Sequence, residues 1–596
     1  MRINQNLYNM KKIYPLLISC IALLAACKPD PIVTPDPEPQ PQDTTEQYVP
    51  KTEWELADSL YTPADYTVPS HTMLKIAIKA CADNPSEDNL AALRQKIKDL
   101  KPKTEPYCMV ATINGDPKTH MGFCWFTNEG VTEGEVQIVA KADATEADFA
   151  GGDVITVAAT STPTKALRYS GKARYIVNLS GINASVRYKY VSHKALAENL
   201  TPGTAYSWRC GYDGHWSPIG RFRTEDANQG EYSFVVMSDS HIENQVYIDE
   251  ARRCAKAVVK TVPEARFCCF PGDFVEDGDA NNSEWEWERW FEESLNPITM
   301  NMALVPTDGN HDDSPNINYT YHFNTNNDFN VSYTNAPQFE GIVYNFVYGD
   351  VLFLVFSMQD FWRETHNYID WTSIYLTDHV GKWFCDKTAQ NPNTKYRISL
   401  AHFNLFSGSD HSTDKEPPVF RNCMLPVMKK CEIDVALQGH DHTYEVIGPV
   451  NPDDCTPILS AISDVEEVPV DNNKNITGKK GGTYCTDDGT FYFIGATCGH
   501  KRYYPHNRAR MERDYTDDPN VLQDNKHHNV KNYFDLFTGM FGQPEAPCFT
   551  KITVKDDCLE FNSYTVIDGD GNTSLLNTMK VVRTKPHTAP QVNLMK

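Results

Sequence analysis

Five apolar stretches each run straight into an Asp, Asn or His, and this recurrence constrains the fold more than any other feature of the sequence. Tyr232-Ser233-Phe234-Val235-Val236-Met237 leads to Asp239-Ser240-His241, and Arg266-Phe267-Cys268-Cys269-Phe270 leads to Gly272-Asp273. Met302-Ala303-Leu304-Val305-Pro306 leads to Gly309-Asn310-His311-Asp312, Arg397-Ile398-Ser399-Leu400 to His402, and Ile433-Asp434-Val435-Ala436-Leu437 to Gly439-His440-Asp441-His442. Short apolar runs separated by helical or looped segments read as the strands of an α/β sheet. Ligands of such sheets bind beyond the carboxyl ends of the strands, so five polar strand ends converge on one crevice. Imidazole and carboxylate donors without thiolate suit divalent transition metals, and several acids offset the ionic charge.

Each motif alone is weak, because Asp-x-His, Gly-Asp and Gly-Asn-His also occur as turns. Their order carries the reading: Asp-x-His, Gly-Asp, Gly-Asn-His-Asp, His and Gly-His-x-His, each after an apolar strand, are together similar to the calcineurin-like metallophosphoesterase family. The similarity covers roughly residues 230–566 and implies an α/β sandwich. It implies one metal held by Asp239, His241 and His442 and another by Asn310, His402 and His440, with Asp273 and a hydroxide bridging them. Mn, Fe and Zn are all compatible. His311 becomes the catalytic residue that stabilises the transition state or protonates the leaving alkoxide, with Asp312 holding its ring. The implied reaction is hydrolysis of a phosphorylated small molecule, a monoester first. A phosphodiesterase is the alternative, and a non-catalytic surface binding protein with a relic metal site is a reading from another class. The intact set of seven ligands plus His311 argues against a relic.

A fibronectin-like module before such a domain resembles purple acid phosphatases and their bacterial relatives. Two departures stand out. The purple enzymes carry Asp-x-Gly where this chain has Asp239-Ser240-His241, and a Tyr three residues after the shared Asp where this chain has Glu276. The iron–phenolate colour is therefore expected to be absent, with His241 replacing the Tyr as a ligand. His411, nine positions after His402, stands where purple-type enzymes often place a substrate-contacting His; a solvated loop His is the competing reading. His500-Lys501-Arg502-Tyr503-Tyr504 follows the strand-like Phe491-Tyr492-Phe493-Ile494-Gly495 and is within reach of the cleft, where it would select the leaving group. His527-His528 has no strand before it and is left out of the site. The stretch 446–545 shows no readable pattern, and Tyr344 to Phe356 reads as a hairpin with a Gly-Asp turn.

Residues 106–224 alternate short strands with turns, and Leu200-Thr201-Pro202-Gly203-Thr204-Ala205-Tyr206 and Phe222-Arg223-Thr224 look like a fibronectin type III module. Trp125, Trp208 and Trp216 read as core and edge packing, with sugar binding the less favoured role. The fold class is thus an α/β metallophosphoesterase sandwich preceded by an all-β, fibronectin- or immunoglobulin-like sandwich. The expected domains are a signal peptide at 1–27, a Pro-rich linker at 28–50, a helical segment at 51–104, the β-sandwich at 105–225 and the catalytic domain at 230–580.

Arg2, Lys11 and Lys12 precede an apolar run from Ile13 to Ala26, too short for a comfortable membrane span, which reads as an export signal. It ends in Leu24-Ala25-Ala26-Cys27, which resembles the lipobox of bacterial lipoproteins, so Cys27 is the expected lipidation site; cleavage as an ordinary signal peptide is the other reading. The expected location is the bacterial cell envelope, anchored to the outer membrane by lipid. The Pro/acid run after Cys27 favours extended chain and cannot bury a core. With 55 Lys+Arg against 79 Asp+Glu, net charge -24 and no basic run, a nucleic-acid partner is disfavoured. Of 17 Cys, 15 remain beyond Cys20 and Cys27, an odd number without CxxC, and they read as small core residues or scattered disulfides.

Overall fold

The apolar runs that end in polar residues are strands in every case, and the computed structural model of the protein shows how two sheets share them. The described residues lie between 105 and 588, leaving out 129, 165–166, 169–186, 189, 277–283, 313–316, 330–340, 359–373, 415, 471–475, 512–532, with a short piece inside 84–92. Cys27, the signal peptide, the Pro-rich stretch, most of the helical segment and His527-His528 lie outside them. Among the described residues no helix is long and apolar enough to cross a membrane.

The strands that matter for the site are β1 (Tyr107–Thr112), β2 (Tyr232–Val236), β3 (Phe267–Pro271), β4 (Ala303–Thr307), β5 (Tyr344–Tyr348), β6 (Val351–Val355), β7 (Tyr396–Leu400), β8 (Val435–Gln438), β9 (Tyr444–Asn451) and β10 (Thr490–Gly495). In the first sheet β2, β3 and β4 run parallel side by side. In the second, β6, β7, β8 and β10 are parallel neighbours, flanked by antiparallel β5 and β9. β5 and β6 form the expected hairpin, turning at Gly349, whose φ of +59° favours a residue without Cβ.

Alternate side chains of the two sheets meet in one core: Phe234, Val236, Phe267, Cys269, Ala303 and Val305 from the first, Phe353, Val355, Ile398, Leu400, Val435 and Leu437 from the second. The Phe267 ring stands edge-on to Phe346 at 5.7 Å and Phe353 at 5.5 Å. Helices cover the outer faces. α1 (Gln245–Thr261), capped by Asn244 accepting from the Val246 N–H, buries Ile248, Ala251, Cys254, Ala255 and Val258 along one stripe. On the second sheet α2 (Gly381–Gln390) and α3 (Glu416–Lys430) pack Phe384, Phe420, Met424 and Met428 against Leu352, Leu354 and Ala436. Strands buried on both faces explain why their sequences read as continuous apolar runs.

The N-terminal strands form a sandwich whose outer sheet contains Glu135–Val139, Ile155–Ala158 and Ala205–Tyr212. Its other sheet is continuous with the first sheet of the following domain: β1 lies parallel to β4, with Thr112 opposite Leu304, so twelve strands share one ladder. A fully buried strand needs a partner on both edges, and β4 supplies the second one. Trp125 and Trp208 are fully buried, and Trp216 lies under the Arg209 guanidinium at 4.4 Å.

His193 in this sandwich is fully buried, stacked on Trp125 at 5.2 Å, with Nε2 2.7 Å from Thr127 Oγ1 and Nδ1 2.8 Å from Ser161 Oγ. Burial pulls its pKa down from 6.5 to about 4. The unfolded chain therefore binds more protons in that window, so stability is complete above about pH 6.5 and is lost as the pH falls toward 4, by on the order of 3 kcal/mol. Urea midpoints measured from pH 7 to 4 should fall accordingly, and His193→Gln should flatten that part of the slope. An unchanged slope would remove His193 as its source.

The fourteen cysteines among the described residues are all free, so the scattered disulfides are not found among them; thirteen are buried and serve as small core residues. The stretch 446–545 contributes strands among its described residues: Ile462–Glu467 and Lys479–Cys485 pair antiparallel, and the second runs parallel to Thr573–Val582 at the end of the first sheet. Ile462–Glu467 has no fully buried residue, so no hydrophobic alternation marks it in the sequence.

Candidate metal centre

Each strand delivers its polar residues just past its last ladder bond. Asp239 and His241 follow β2, Asp273 follows β3, Asn310 and His311 follow β4, His402 follows β7, and His440 and His442 follow β8. The backbone turns sharply there: Asp239, His241, Asp273 and His440 all have positive φ, at +59°, +46°, +53° and +70°. Such conformations cost about 1–3 kcal/mol each and persist only where the surrounding structure holds them. Three motif glycines allow the close packing. A Cβ on Gly309 would stand 2.2 Å from Asp273 Oδ1, one on Gly272 2.7 Å from His402 Nδ1, and one on Gly439 2.9 Å from Asp239 Oδ2.

The structure brings all seven expected ligands together in two adjoining clusters. Asp239, His241, Asp273 and His442 form one, with donor atoms all within 4.8 Å of each other, and Asp273, His402 and His440 form the other. His241 Nε2 lies 3.0 Å from His442 Nε2, and Asp239 Oδ1 lies 3.5 Å from the latter. His402 Nε2 lies 3.0 Å from Asn310 Oδ1 and 3.2 Å from His440 Nδ1. Asp273 belongs to both groups, and its Oδ2 is 3.2 Å from His241 Nε2 and 3.2 Å from His402 Nε2.

The imidazoles are oriented from outside. His241 Nδ1–H donates to Glu276 Oε2 at 2.8 Å, His402 Nδ1–H to the Pro271 carbonyl at 2.8 Å, and His442 Nδ1–H to the Lys501 carbonyl at 2.9 Å. Each ring then presents Nε2 to the centre, the arrangement by which metal-binding histidines are fixed. Three aimed Nε2 atoms, the His440 Nδ1, an amide oxygen and two buried carboxylates fit two cations of the Mn, Fe or Zn type.

Charge follows the same logic. Burial would push Asp273 up, but His402, His311 and His241 hold its carboxyl well below the usual range. Burial alone would depress His241 and His402, but Asp273 lifts both to about 9. The site is thus a set of ionised carboxylates matched by positive charge, which bound cations would replace.

His311 stands beside this centre. Its N–H donates to Asp273 Oδ1 at 2.9 Å, and its Nδ1–H donates to the Glu276 carbonyl at 2.6 Å. Its Nε2 faces Lys501 Nζ at 3.4 Å, and burial lowers its pKa to about 4. Asp312 does not hold the His311 ring, contrary to expectation. Its carboxylate accepts from the N–H groups of Asp273 at 2.8 Å, Phe274 at 2.9 Å, Val275 at 3.3 Å and Gly309 at 2.8 Å, pinning the two ligand loops to each other.

His411 lies on a short 3-10 turn at the rim, stacked on His440 with ring centres 3.6 Å apart, its Nδ1 2.6 Å from Asp414 Oδ2. That loop is tied down by Asp441, which accepts from Ser409 Oγ at 2.8 Å and the Gly408 N–H at 3.1 Å. Tyr503 stacks on His442 at 4.3 Å and meets His411 edge-on at 5.2 Å, so the 500–504 segment does reach the cleft. Trp290 supports the site from behind, its Nε1–H donating to Ser240 Oγ at 3.0 Å, and Trp287 is fully buried. Sequence reasoning missed two supports: Glu276, read only as a missing Tyr, and Asp441, passed over as the spacer in Gly-His-x-His.

Comparison with known proteins agrees with this geometry. Residues 106–224 match the family model of the purple acid phosphatase N-terminal domain, and residues 232–444 that of the calcineurin-like phosphoesterases. A curated relative from Arabidopsis thaliana, described as a probable inactive purple acid phosphatase, is 22% identical over 292 residues. The match covers 44% of this chain and 45% of that relative, so the chain spans less than half the length of that protein. A solved purple acid phosphatase from yellow lupin (Lupinus luteus) seeds has the same fold, with a TM-score of 0.53 at 14% identity, covering 80% of this chain and 75% of its own. The structure of PhoD is also similar, at 10% identity and a TM-score of 0.45, covering 81% of this chain and 93% of that one. The chain thus carries, in order, the purple acid phosphatase type of N-terminal domain at 106–224 and a calcineurin-like metallophosphoesterase domain at 232–444.

Proposed function

We propose that this protein hydrolyses phosphate monoesters at the Asp/His centre. The observation that carries the reading is the shared position of Asp273 Oδ2, 3.2 Å from an imidazole of each cluster. Asp239, His241 and His442 would hold one ion, Asn310, His402 and His440 the other, and Asp273 both. Two such ions supply Lewis-acid polarisation of the phosphoryl oxygens and a lowered pKa for a bound water. The chain's own groups do the rest. Glu276, Pro271 and Lys501 fix the rings through their acceptors, and His311, its Nδ1–H anchored on the Glu276 carbonyl, would protonate the leaving oxygen from Nε2 as the imidazolium, a form that its lowered pKa of about 4 reserves for acid pH. His411 and Tyr503 wall the rim and limit what group the ester carries.

The plant relative's description as probably inactive favours a second reading, a binding protein without turnover. One experiment separates the readings: the chain lacking residues 1–27, loaded with Mn, Fe or Zn, is assayed on matched chromogenic monoester and diester substrates. Metal-dependent monoester preference is the expected outcome. Diester preference would replace it with the phosphodiesterase reading, and silence on both with two metals bound would favour the binding protein.

A further inference from the structure

Lys501 projects its ammonium into the mouth of the centre from a loop 190 residues beyond His311, and nothing in the metal arrangement requires the ammonium there. We propose that Lys501 is the phosphate-charge sensor of the site: it contacts a non-bridging phosphoryl oxygen beside His311 and sets the preference for dianionic monoesters over monoanionic diesters. The assignment deepens the proposed monoester reading and rests on it only for the choice of substrate.

The geometry is specific. Lys501 Nζ lies 3.2 Å from Glu276 Oε2, 3.5 Å from Glu276 Oε1 and 3.4 Å from His311 Nε2. An ammonium has three N–H donors, and an incoming phosphoryl oxygen would take the place of one of these contacts. Its side chain is 22% exposed, whereas the ligands around it are sealed, so it sits at the boundary that substrate must cross. Its own backbone carbonyl is clamped by His442 Nδ1–H at 2.9 Å, and the same loop stacks Tyr503 on His442, so the ammonium's stem is fixed to the metal centre. Glu276 provides the resting partner. That carboxylate also accepts from His241, so it is held in place and keeps Lys501 over the cleft when no phosphate is present.

The chemistry favours a dianion. A monoester carries close to two negative charges near neutral pH and a diester one. An ammonium is a compact charge with several donors and no fixed fork, suited to one terminal oxygen. A diester has one such oxygen fewer to offer, because its second ester group occupies that position.

The test uses the metal-loaded chain and inorganic phosphate as the probe, with Lys501→Met and Lys501→Arg. Phosphate affinity measured by calorimetry should fall about 10- to 100-fold in Lys501→Met, the size expected for a lost charge-assisted hydrogen bond. Lys501→Arg should recover most of it. Monoester kcat/KM should fall by a similar factor and diester kcat/KM by less than about threefold, so the ratio collapses. Unchanged phosphate affinity in Lys501→Met overturns the assignment. Loss of bound metal in that variant also overturns it, because Lys501 would then act only by supporting Glu276 and His241. Absence of any hydrolysis by the parent chain sinks the proposed reaction instead, and phosphate binding still decides the role of Lys501.

Discussion

Asp273→Asn is expected to give a folded protein that no longer holds its metals and no longer cleaves ester. The substitution is chosen to spare the fold. Asn keeps an oxygen where Asp273 Oδ1 accepts the His311 N–H at 2.9 Å, and its amide replaces Oδ2 without changing volume. What it removes is the one negative charge that faces both clusters. Loss of partners merely outside a ligand set lowers metal affinity about 10- to 100-fold, so loss of a shared ligand should exceed the upper end of that range. Metal content after dialysis against chelator, read by elemental analysis, should fall from two ions to one or none, and hydrolysis should disappear with it. Retention of two ions would show that Asp273 is not the shared donor.

His311→Ala should separate chemistry from metal binding. His311 has its Nδ1–H committed to the Glu276 carbonyl and its Nε2 turned to Lys501, so neither nitrogen faces the donors that converge on the two ions. His241, Glu276 and His311 do lie close together, but their near contacts are accounted for by those ring N–H bonds. The variant is therefore expected to keep its full metal content and to lose about 10²- to 10⁴-fold in kcat, the range for removal of a positioned acid or base. Full turnover in a metal-replete His311→Ala would leave the binding-protein reading standing. Loss of metal would make His311 a ligand and would move the catalytic role elsewhere.

The two predictions differ because the two residues, 38 positions apart and both at strand ends, face different things. Their place at strand ends was readable in the sequence, since an apolar run followed by a turn and a polar residue is a local pattern. The direction in which each side chain points was not. Asp312 illustrates this: adjacent to His311, it invites a role as the holder of that ring, yet the turn after β4 aims it at four backbone amides of the two ligand loops. Glu276 illustrates the converse. In the sequence it marks only a departure from a Tyr, and it becomes the acceptor that orients His241 because β3 delivers it beside β2.

The sequence by itself determined the order of the strands that carry the site, the donor types at their ends and the β-sandwich that precedes them, while the choice of seven ligands among those donors came from the family resemblance. Those properties are local: apolar period, turn residues and side-chain chemistry are written within a dozen positions of one another. Only the tertiary structure decided that β1 extends the first sheet beside β4, that the 446–545 stretch adds strands to both sheets, and that Lys501 stands 3.4 Å from His311. The physical reason is that hydrogen-bond partners and edge pairings are chosen among residues far apart in the chain, 97 positions for Thr483 and Lys580, 190 for Lys501 and His311 and 192 for Thr112 and Leu304. That choice depends on how two packed sheets bring their loops together, which no local pattern encodes.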